Sequence, residues 1–357
     1  MNDRSARFRD LMITTIFAII LGLTVSGLML LLLKVNPIKA FSILFSSLAR
    51  DKYTFADIFV KATPLIFCAL SFAFTFKANL FNIGAQGQFY MGAVTAAAVS
   101  LALQNRLPGG LVLVIVCLLC LLAGGIWGSF IGWAKARFNA NEFLVSMMST
   151  YVALNIMNYL LRTVMQEKKG EYPQTDALAK SVWLPKMFSG TRLHYGFLLA
   201  VLAAVGIWVL LYKTPLGYRI RVVGYNPSAA RLAGIDAKKL YIIAFFISGA
   251  LAGCAGFTEV NGVQHLLLQG FNPDIGSAGL GIAILANANP IGIIFAAILF
   301  GALRVGGLIM GQMANAPASI IEIMQGFVMI FVILSYYVRA RLDVGRQKHL
   351  LQRKEQA

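Results

Sequence analysis

Apolar runs recur from one end of this chain to the other, with no long polar stretch between them. Hydrophobic residues make up 59% of the 357 and charged residues only 13%, so a soluble fold would expose far too much apolar surface. A bilayer is the natural solvent for such a chain, because about twenty apolar residues in a helix cross its hydrocarbon core. The sequence therefore predicts an all-α integral membrane protein, with residues 1–357 forming a single transmembrane domain.

About ten of these runs are predicted to be transmembrane helices. The first follows Arg4, Arg7 and Arg9; it is too long for the core of a signal peptide and has no small-x-small cleavage site. The run at 275–285 is the weakest, and its many glycines indicate a broken or re-entrant helix as an alternative to a full span. The predicted spans are residues 11–33, 62–76, 83–103, 110–133, 143–161, 195–212, 240–257, 275–285, 291–310 and 320–338.

The net charge of +17 comes from basic residues in short clusters at the ends of apolar runs. A single basic stripe would indicate nucleic-acid binding, whereas scattered clusters are typical of the positive-inside rule. The rule places both termini in the cytoplasm, together with the loop at 213–240 and the basic tail at 339–357. The loop at 162–193 is then external, although its six basic residues argue against that side.

The loop at 213–240 contains the signals of one short helix. Asn226 is a good N-cap, Pro227 fits the first helical position, and Gly234 is placed to end the helix in a left-handed conformation. Two turns are marginal in water on their own, so the helix is expected to dock onto a partner. The alternative is a helix packed on its own membrane domain or on lipid head groups. The surface offered to a partner is predicted to comprise Ala229, Ala230, Ala233, Leu232 and Ile235.

Carboxamide side chains interrupt the apolar sequence in two places. Amides in a membrane are costly unless paired, and they can hydrogen-bond the hydroxyls or base edges of an uncharged solute. The alternative is that they bridge neighbouring helices. The predicted solute-path residues are Asn79, Asn82, Gln86 and Gln88 at the start of the third span, and Asn261, Gln264 and Asn272 after the seventh.

The chain has no sequence motif that binds the phosphates of ATP, and no recognisable catalytic or metal-binding motif. Cys117 and Cys120 form a C-x-x-C without a second pair or a histidine nearby. If the protein moves a solute actively, the energy is therefore expected from a separate subunit that hydrolyses ATP. The alternative to such an ATP-driven transporter is an ion-coupled secondary transporter, which would need carboxylates within the membrane. The candidate carboxylates all fall near span ends: Glu142, Glu259, Asp274 and Glu322.

Three stretches resemble permeases of the ribose, branched-chain amino acid and nucleoside group of bacterial ABC importers. The run G-x-N-P-x-A-A-R-x-A-G-I at 224–235 resembles their coupling segment, and N-I-G-A-Q-G-Q at 82–88 is similar to a motif of the nucleoside-type branch. The run from Ile282 to Gly292 resembles a turn in which Asn-Pro ends one span and starts the next. The resemblance covers about residues 63–338. At 286–288, Ala-Asn-Ala stands where relatives often have Leu-Gly-x.

The resemblance implies a permease of the type II importer kind, itself without a cofactor, that imports nucleosides. A permease for simple sugars such as ribose is the alternative. Implied partners are an ABC ATPase that holds ATP and Mg²⁺, a second permease that is identical or not, an extracytoplasmic solute-binding protein or lipoprotein, and membrane lipid, but no nucleic acid. The implied location is the bacterial cytoplasmic (inner) membrane. The residues assigned to ATPase coupling are Gly224, Asn226, Pro227, Ala229, Ala230, Arg231, Leu232, Gly234 and Ile235.

Overall fold

The computed structural model describes residues 20–48, 50–314, 317, 320, 322–331 and 334–335. This part of the chain is built from α-helices and contains only isolated β-bridges in place of strands. Its helices are α1 (Ile20–Leu32), α2 (Pro37–Leu48), α3 (Lys52–Phe76), α4 (Ala85–Leu103), α5 (Gly109–Phe138), α6 (Glu142–Arg162), α7 (Gly196–Lys213), α8 (Pro215–Tyr225), α9 (Pro227–Leu232), α10 (Ala237–Glu259), α11 (Ile275–Leu285), α12 (Pro290–Ala314) and α13 (Glu322–Phe331).

Among the described residues, six helices are long and apolar enough to cross a membrane: α3, α5, α6, α7, α12 and α10 with its extension to Gln264. They match six of the predicted spans, so the prediction of an all-α, multi-pass membrane protein is confirmed. The count of about ten is not confirmed. Helix α4 carries Gln86 and Gln88 in its first turn, and the 11 residues of α11 extend only about 16 Å. The start of the first predicted span, the end of the tenth and the basic tail lie outside the described residues.

The chain separates into two compact units, one comprising Asp51–Ala302 and the other residues 1–50 with 303–357. In the larger unit, α3 is buried from Ala62 to Thr75, and α4, α7, α10 and α11 pack around it. Helix α10 also packs along α5. In the smaller unit the described core is one apolar cluster: Leu30, Ala40, Leu44, Leu303, Met310, Ile320 and Met324.

Glycines bring α5 and α10 into close contact. A Cβ atom at Gly124 would overlap the carbonyl oxygen of Gly249 and lie 2.9 Å from the Cα of Gly253. A Cβ at Gly128 would likewise overlap the carbonyl oxygen of Phe245. Small residues four apart let helix backbones approach closely in lipid, where no hydrophobic effect drives helices together. Gly124, Gly128, Gly249 and Gly253 therefore serve close packing of α5 on α10.

The structure differs from the sequence prediction at the start of α3 and in the loop at 213–240. Helix α3 begins at Lys52 and not at residue 62, because Asp51 caps it by accepting from Tyr53 N and Thr54 N at 2.9 and 2.7 Å. Charged side chains at Asp57 and Lys61 hide this first part from an apolar-run criterion. The loop at 213–240 holds α8 as well as the expected short helix. Thr214 caps α8 through its hydroxyl, and a proline stands in its first turn.

Candidate functional site

The short helix α9 has the termini predicted for it. Asn226 ends α8 and caps α9, its Oδ1 accepting from Ser228 N and Ala229 N at 3.0 Å each. Pro227 is the first residue of α9, and Gly234 has φ +76° just beyond its end. A left-handed residue is easiest for glycine, which has no Cβ.

The surface of α9 differs from the predicted one at Ala230. This side chain is fully buried within the chain, and its carbonyl accepts from Ile235 N at 2.9 Å, so it cannot be offered to a partner. A two-turn helix packed on the membrane helices must bury one face, and Ala230 lies on that face. The exposed apolar side chains are instead Leu232, which is 92% exposed, and Tyr225 at the end of α8, which is 89% exposed. Tyr225 was missed because its position precedes the helix signals.

Helix α8 contacts the turn that joins α3 to α4. A Cβ at Gly224 would overlap the carbonyl of Lys77 and lie 3.1 Å from the Cα of Ala78. Lys77 donates to the carbonyl of Asn287 at 3.5 Å. Burial lowers the pKa of Lys77, and the nearby Arg221 lowers it further. The predicted solute-path residue Asn79 is exposed in this turn with φ +57°. The segment at 224–235 is thus in direct contact with the chain leading to the N-I-G-A-Q-G-Q run.

Asn82 and Gln88 belong to a buried hydrogen-bond network. Asn82 Nδ2 donates to Ser248 Oγ at 2.7 Å and to Gln88 Oε1 at 2.9 Å. Ser248 in turn donates to the carbonyl of Ser71 at 2.7 Å. Since buried polar groups need partners, this network holds the start of α4 against α3 and α10.

The other amides form two further networks. Gln86 accepts from Gly276 N at 2.5 Å and donates to the carbonyl of Asn272 at 2.9 Å. Asn272 Nδ2 donates to Glu259 Oε1 at 2.7 Å. Asn261 donates to Ser100 Oγ and to the carbonyl of Val182, each at 2.9 Å, while Gln264 is half-buried. The seven predicted solute-path residues therefore lie in several places. Most of them connect elements, as the alternative interpretation has it, and their contact with a solute stays a prediction.

The glycines of the same run pack against α6. A Cβ at Gly84 would lie 3.0 Å from the carbonyl oxygen of Ser146, and one at Gly87 would lie 2.8 Å from the Cα of Thr150. The backbone N of Ile83 also donates to Ser146 Oγ at 3.3 Å. Helix α6 can approach α4 this closely only because these positions lack side chains. Sequence reasoning missed this pairing, since no local signal connects residues 82–88 with α6.

Two histidines lie where the loop at 162–193 meets the end of α10. His194 is buried, and its Nδ1 accepts from Gly196 N at 3.1 Å. Burial lowers the pKa of His194 to about 4, and the nearby His265 adds to the effect. His265 stacks on Trp183 with 3.7 Å between ring centroids, and its pKa is also lowered to about 4, by burial first and then by Arg192 and Lys186.

The helical chain is interrupted between α11 and α12, as predicted. Helix α11 ends at Leu285, and α12 begins at Pro290. Asn287 and Ala288 both have positive φ, 51° and 50°. A left-handed alanine is unusual, and it stands where the sequence departs from the pattern expected of its relatives.

Within the part of the chain that the structure describes, no group of three or more His, Cys, Asp or Glu side chains could hold a metal ion. Cys117 and Cys120 are free thiols, and the Sγ of Cys117 lies 3.9 Å from that of Cys254 on α10.

The profile of one protein family, described as "Branched-chain amino acid transport system / permease component", matches residues 54–333. The chain belongs to this family. It is 32% identical to a guanosine ABC transporter permease protein of Bacillus subtilis over 92% of this chain and 94% of that protein. It is 32% identical to a glucose ABC transporter permease protein of Haloferax volcanii, over 93% and 90%. A nucleoside ABC transporter permease protein of Lactococcus lactis is 27% identical, over 97% and 96%. No solved structure matches.

Membership in this family makes the chain a transport component and not an enzyme, in line with the sequence prediction. Permeases of ABC importers work in general with an ATPase and a solute-binding protein. The apolar helices agree with a multi-pass membrane protein of this kind.

Proposed function

We propose that this chain is the permease subunit of an ATP-driven importer for nucleosides. The observation that carries the proposal is similarity along almost the whole length of two permeases named for guanosine and for nucleosides. The N-I-G-A-Q-G-Q run supports the same substrate class. A sugar permease is the second candidate, because the glucose permease of Haloferax volcanii is as similar as the guanosine permease.

In this proposal the solute path runs between this bundle, of the type II importer kind, and a second permease that is identical or not. An ABC ATPase holding ATP and Mg²⁺ opens the path alternately to the two sides. An extracytoplasmic solute-binding protein delivers the solute. The assembly lies in the bacterial cytoplasmic membrane with both termini of this chain in the cytoplasm.

Coupling to the ATPase runs through residues 224–235. Tyr225 and Leu232 offer apolar side chains to the ATPase, and the buried Ala230 fixes α9 to its own chain. Gly224 contacts the turn at Lys77 and Ala78, which leads into the run that packs against α6. A displacement of α9 is therefore passed on to the membrane helices through a contiguous series of packed backbone contacts.

The proposed substrate is tested by uptake into proteoliposomes that hold the complete complex. ATP-dependent accumulation of guanosine, adenosine or uridine in preference to ribose and glucose supports the proposal. Uptake of a sugar with no nucleoside uptake contradicts it. Accumulation driven by an ion gradient without ATP would instead support an ion-coupled carrier.

The coupling surface is tested by Leu232→Asp. The exposed position should tolerate the charge, leaving membrane insertion and melting temperature unchanged, while transport-linked stimulation of ATP hydrolysis is lost. Leu232→Met is the matched control and should keep stimulation, because it keeps an apolar contact. Ala230→Asp should lower the melting temperature, since it buries an unpaired charge. Normal stimulation in Leu232→Asp would show that α9 does not contact the ATPase in this way.

A further inference from the structure

Two cations lie close together where α8 packs on the turn between α3 and α4. Gly224 of α8 contacts the carbonyl of Lys77 in that turn, and Arg221 stands three residues before Gly224, on the same face of the helix. Both charged side chains are half-buried. The charge of Arg221 adds to the effect of burial in lowering the pKa of Lys77. The packing of α8 thus creates a cation pair, Lys77 and Arg221, that is partly removed from water.

The segments that meet at the cation pair supply no carboxylate to balance it. They are α7, α8, the turn at 77–84 and the turn at 286–289, and none of them contains Asp or Glu. Lys77 Nζ donates a long hydrogen bond of 3.5 Å to the carbonyl of Asn287. The Nε of Arg221 is buried without a hydrogen-bond partner among the described residues. Since a buried cation is costly unless it is paired, this arrangement calls for an anion from outside the chain.

Carboxylates at the starts of two neighbouring helices are already engaged. Glu142 at the start of α6 pairs with Lys135 at 2.9 Å. Asp236 caps α10 and lies 3.8 Å from Lys239. Each of these carboxylates has a cation of its own, so neither is free to neutralise the cation pair.

The exposed side of α7 indicates the depth of the cation pair in the membrane. It is an apolar stripe, Leu202, Val205 and Val209, that ends at Tyr212. These positions are three or four residues apart, so they share one face of the helix. The guanidinium carbon of Arg221 lies 5.2 Å from the centre of the Tyr212 ring. Tyrosine at the end of an apolar stripe is typical of the boundary between hydrocarbon and head groups, so Arg221 stands at head-group depth.

The chemistry of the cation pair suits a phosphate group. A guanidinium binds phosphate oxygens through parallel N–H donors, and an ammonium adds a compact charge with three donors. At head-group depth the phosphate at hand is that of a phospholipid, and basic pockets between membrane helices bind anionic head groups. A zwitterionic head group brings its own cation, which the cation pair would repel. An anionic phospholipid therefore fits this place best.

We propose that Lys77 and Arg221 bind the phosphate group of an anionic phospholipid beside the Tyr212 end of α7. The bound phosphate removes the repulsion within the cation pair and bridges α8 to the turn between α3 and α4. Because α8 leads directly into residues 224–235, the lipid stabilises the contact of that segment with the membrane helices. Inorganic phosphate and nucleotides carry the same group, and the experiment separates these sources from the lipid.

The test uses the full chain with its co-purifying subunits, delipidated in detergent, and follows melting temperature and subunit composition during titration with phosphatidylglycerol. Phosphatidylglycerol should raise the melting temperature of the unaltered protein, whereas phosphatidylcholine, inorganic phosphate and guanosine monophosphate should change it little. Lys77→Gln and Arg221→Gln should each weaken the binding of phosphatidylglycerol about tenfold, since each removes a contact with a charged group. Without added lipid, Lys77→Gln should melt no lower than the unaltered protein, because it removes one of two like charges.

The matched control is Arg219→Gln, which removes the same charge from an exposed position on another face of α8 and should leave binding unchanged. Arg221→Lys keeps the charge and should keep most of the binding, which separates loss of charge from damage to the fold. An equal loss in Arg219→Gln would overturn the inference by showing diffuse attraction to positive charge. Stabilisation by inorganic phosphate or guanosine monophosphate without phosphatidylglycerol would overturn it too. So would release of an ATPase by Arg221→Gln, because the missing anion would then belong to that subunit.

Discussion

At the scale of single residues, His194 is buried in a space that only glycines leave open. A Cβ at Gly196 or at Gly262 would lie 2.6 Å from a ring nitrogen of His194. The ring accepts one hydrogen bond, from Gly196 N, and its Nε2 has no partner among the described residues. A charged imidazolium in this place would lose its hydration without gaining an anion, so the neutral form is strongly favoured.

This environment predicts a loss of stability in acid. The folded-state pKa of His194 is about 4, below the usual 6.5, so between these values the unfolded chain binds more protons. The free energy of unfolding should therefore be unaffected by this group above pH 6.5 and fall by up to about 3 kcal/mol as the pH drops to 4. The melting temperature of the detergent-solubilised protein measures it. His194→Asn keeps an acceptor near Gly196 and should make the decline shallower, leaving the share of His265. If the melting temperature of His194→Asn falls with pH as steeply as that of the unaltered protein, His194 is not the group responsible.

At the scale of elements, close helix contact depends on backbone meeting backbone. Helices α5 and α10 touch through Gly124, Gly249 and Gly253, and α4 touches α6 through Gly84 and Gly87. Such contacts gain van der Waals energy across a wide area but leave no space for one added methyl group. Gly206 on α7 differs, because a Cβ there would meet nothing within 4 Å.

Gly124→Ala should therefore destabilise the protein, and Gly206→Ala should not. The added methyl group overlaps the carbonyl of Gly249 and forces α5 away from α10, at a cost of roughly 1–3 kcal/mol. Thermal unfolding of both variants in the same detergent compares them. Equal melting temperatures would show that the two helices separate easily.

At the scale of the whole molecule, orientation in the membrane decides which loops meet which partners. The loop at 213–240 and the tail at 339–357 are predicted on the cytoplasmic side, and the loop at 162–193 outside. The loop at 162–193 is tied to the chain that follows α10 by backbone bonds, Leu184 N to Asn261 O and Thr175 N to Leu267 O at 2.8 Å each. Such a loop presents a fixed surface on one side of the membrane.

Labelling with a membrane-impermeant maleimide tests this orientation. In a variant whose four cysteines are replaced, Glu171→Cys should react in intact cells, and Ser228→Cys should react only after lysis. Both positions are exposed, so accessibility does not differ between them. The reverse pattern would invert the assigned topology and with it the site of ATPase contact.

Local features of the sequence determined much of this protein. Apolar length identified a membrane protein and most of its long helices, because the bilayer sets the length of a span. The ends of α9 and the break before Pro290 followed from caps and a missing backbone donor, which act within a few residues. The resemblance in residues 82–88 and 224–235 indicated the family.

What only the tertiary structure decided is which residues meet. Asn82 donates to Ser248, 166 positions away, and Gly87 contacts Thr150. An amide has the same chemistry whether it bonds a solute or a neighbouring helix, so its role depends on packing. Ala230 is buried and Leu232 exposed for the same reason, since a two-turn helix does not specify which face it buries. Tyr151 and Asn155 lie outward on α6 because glycines on α4 hold the other face inward.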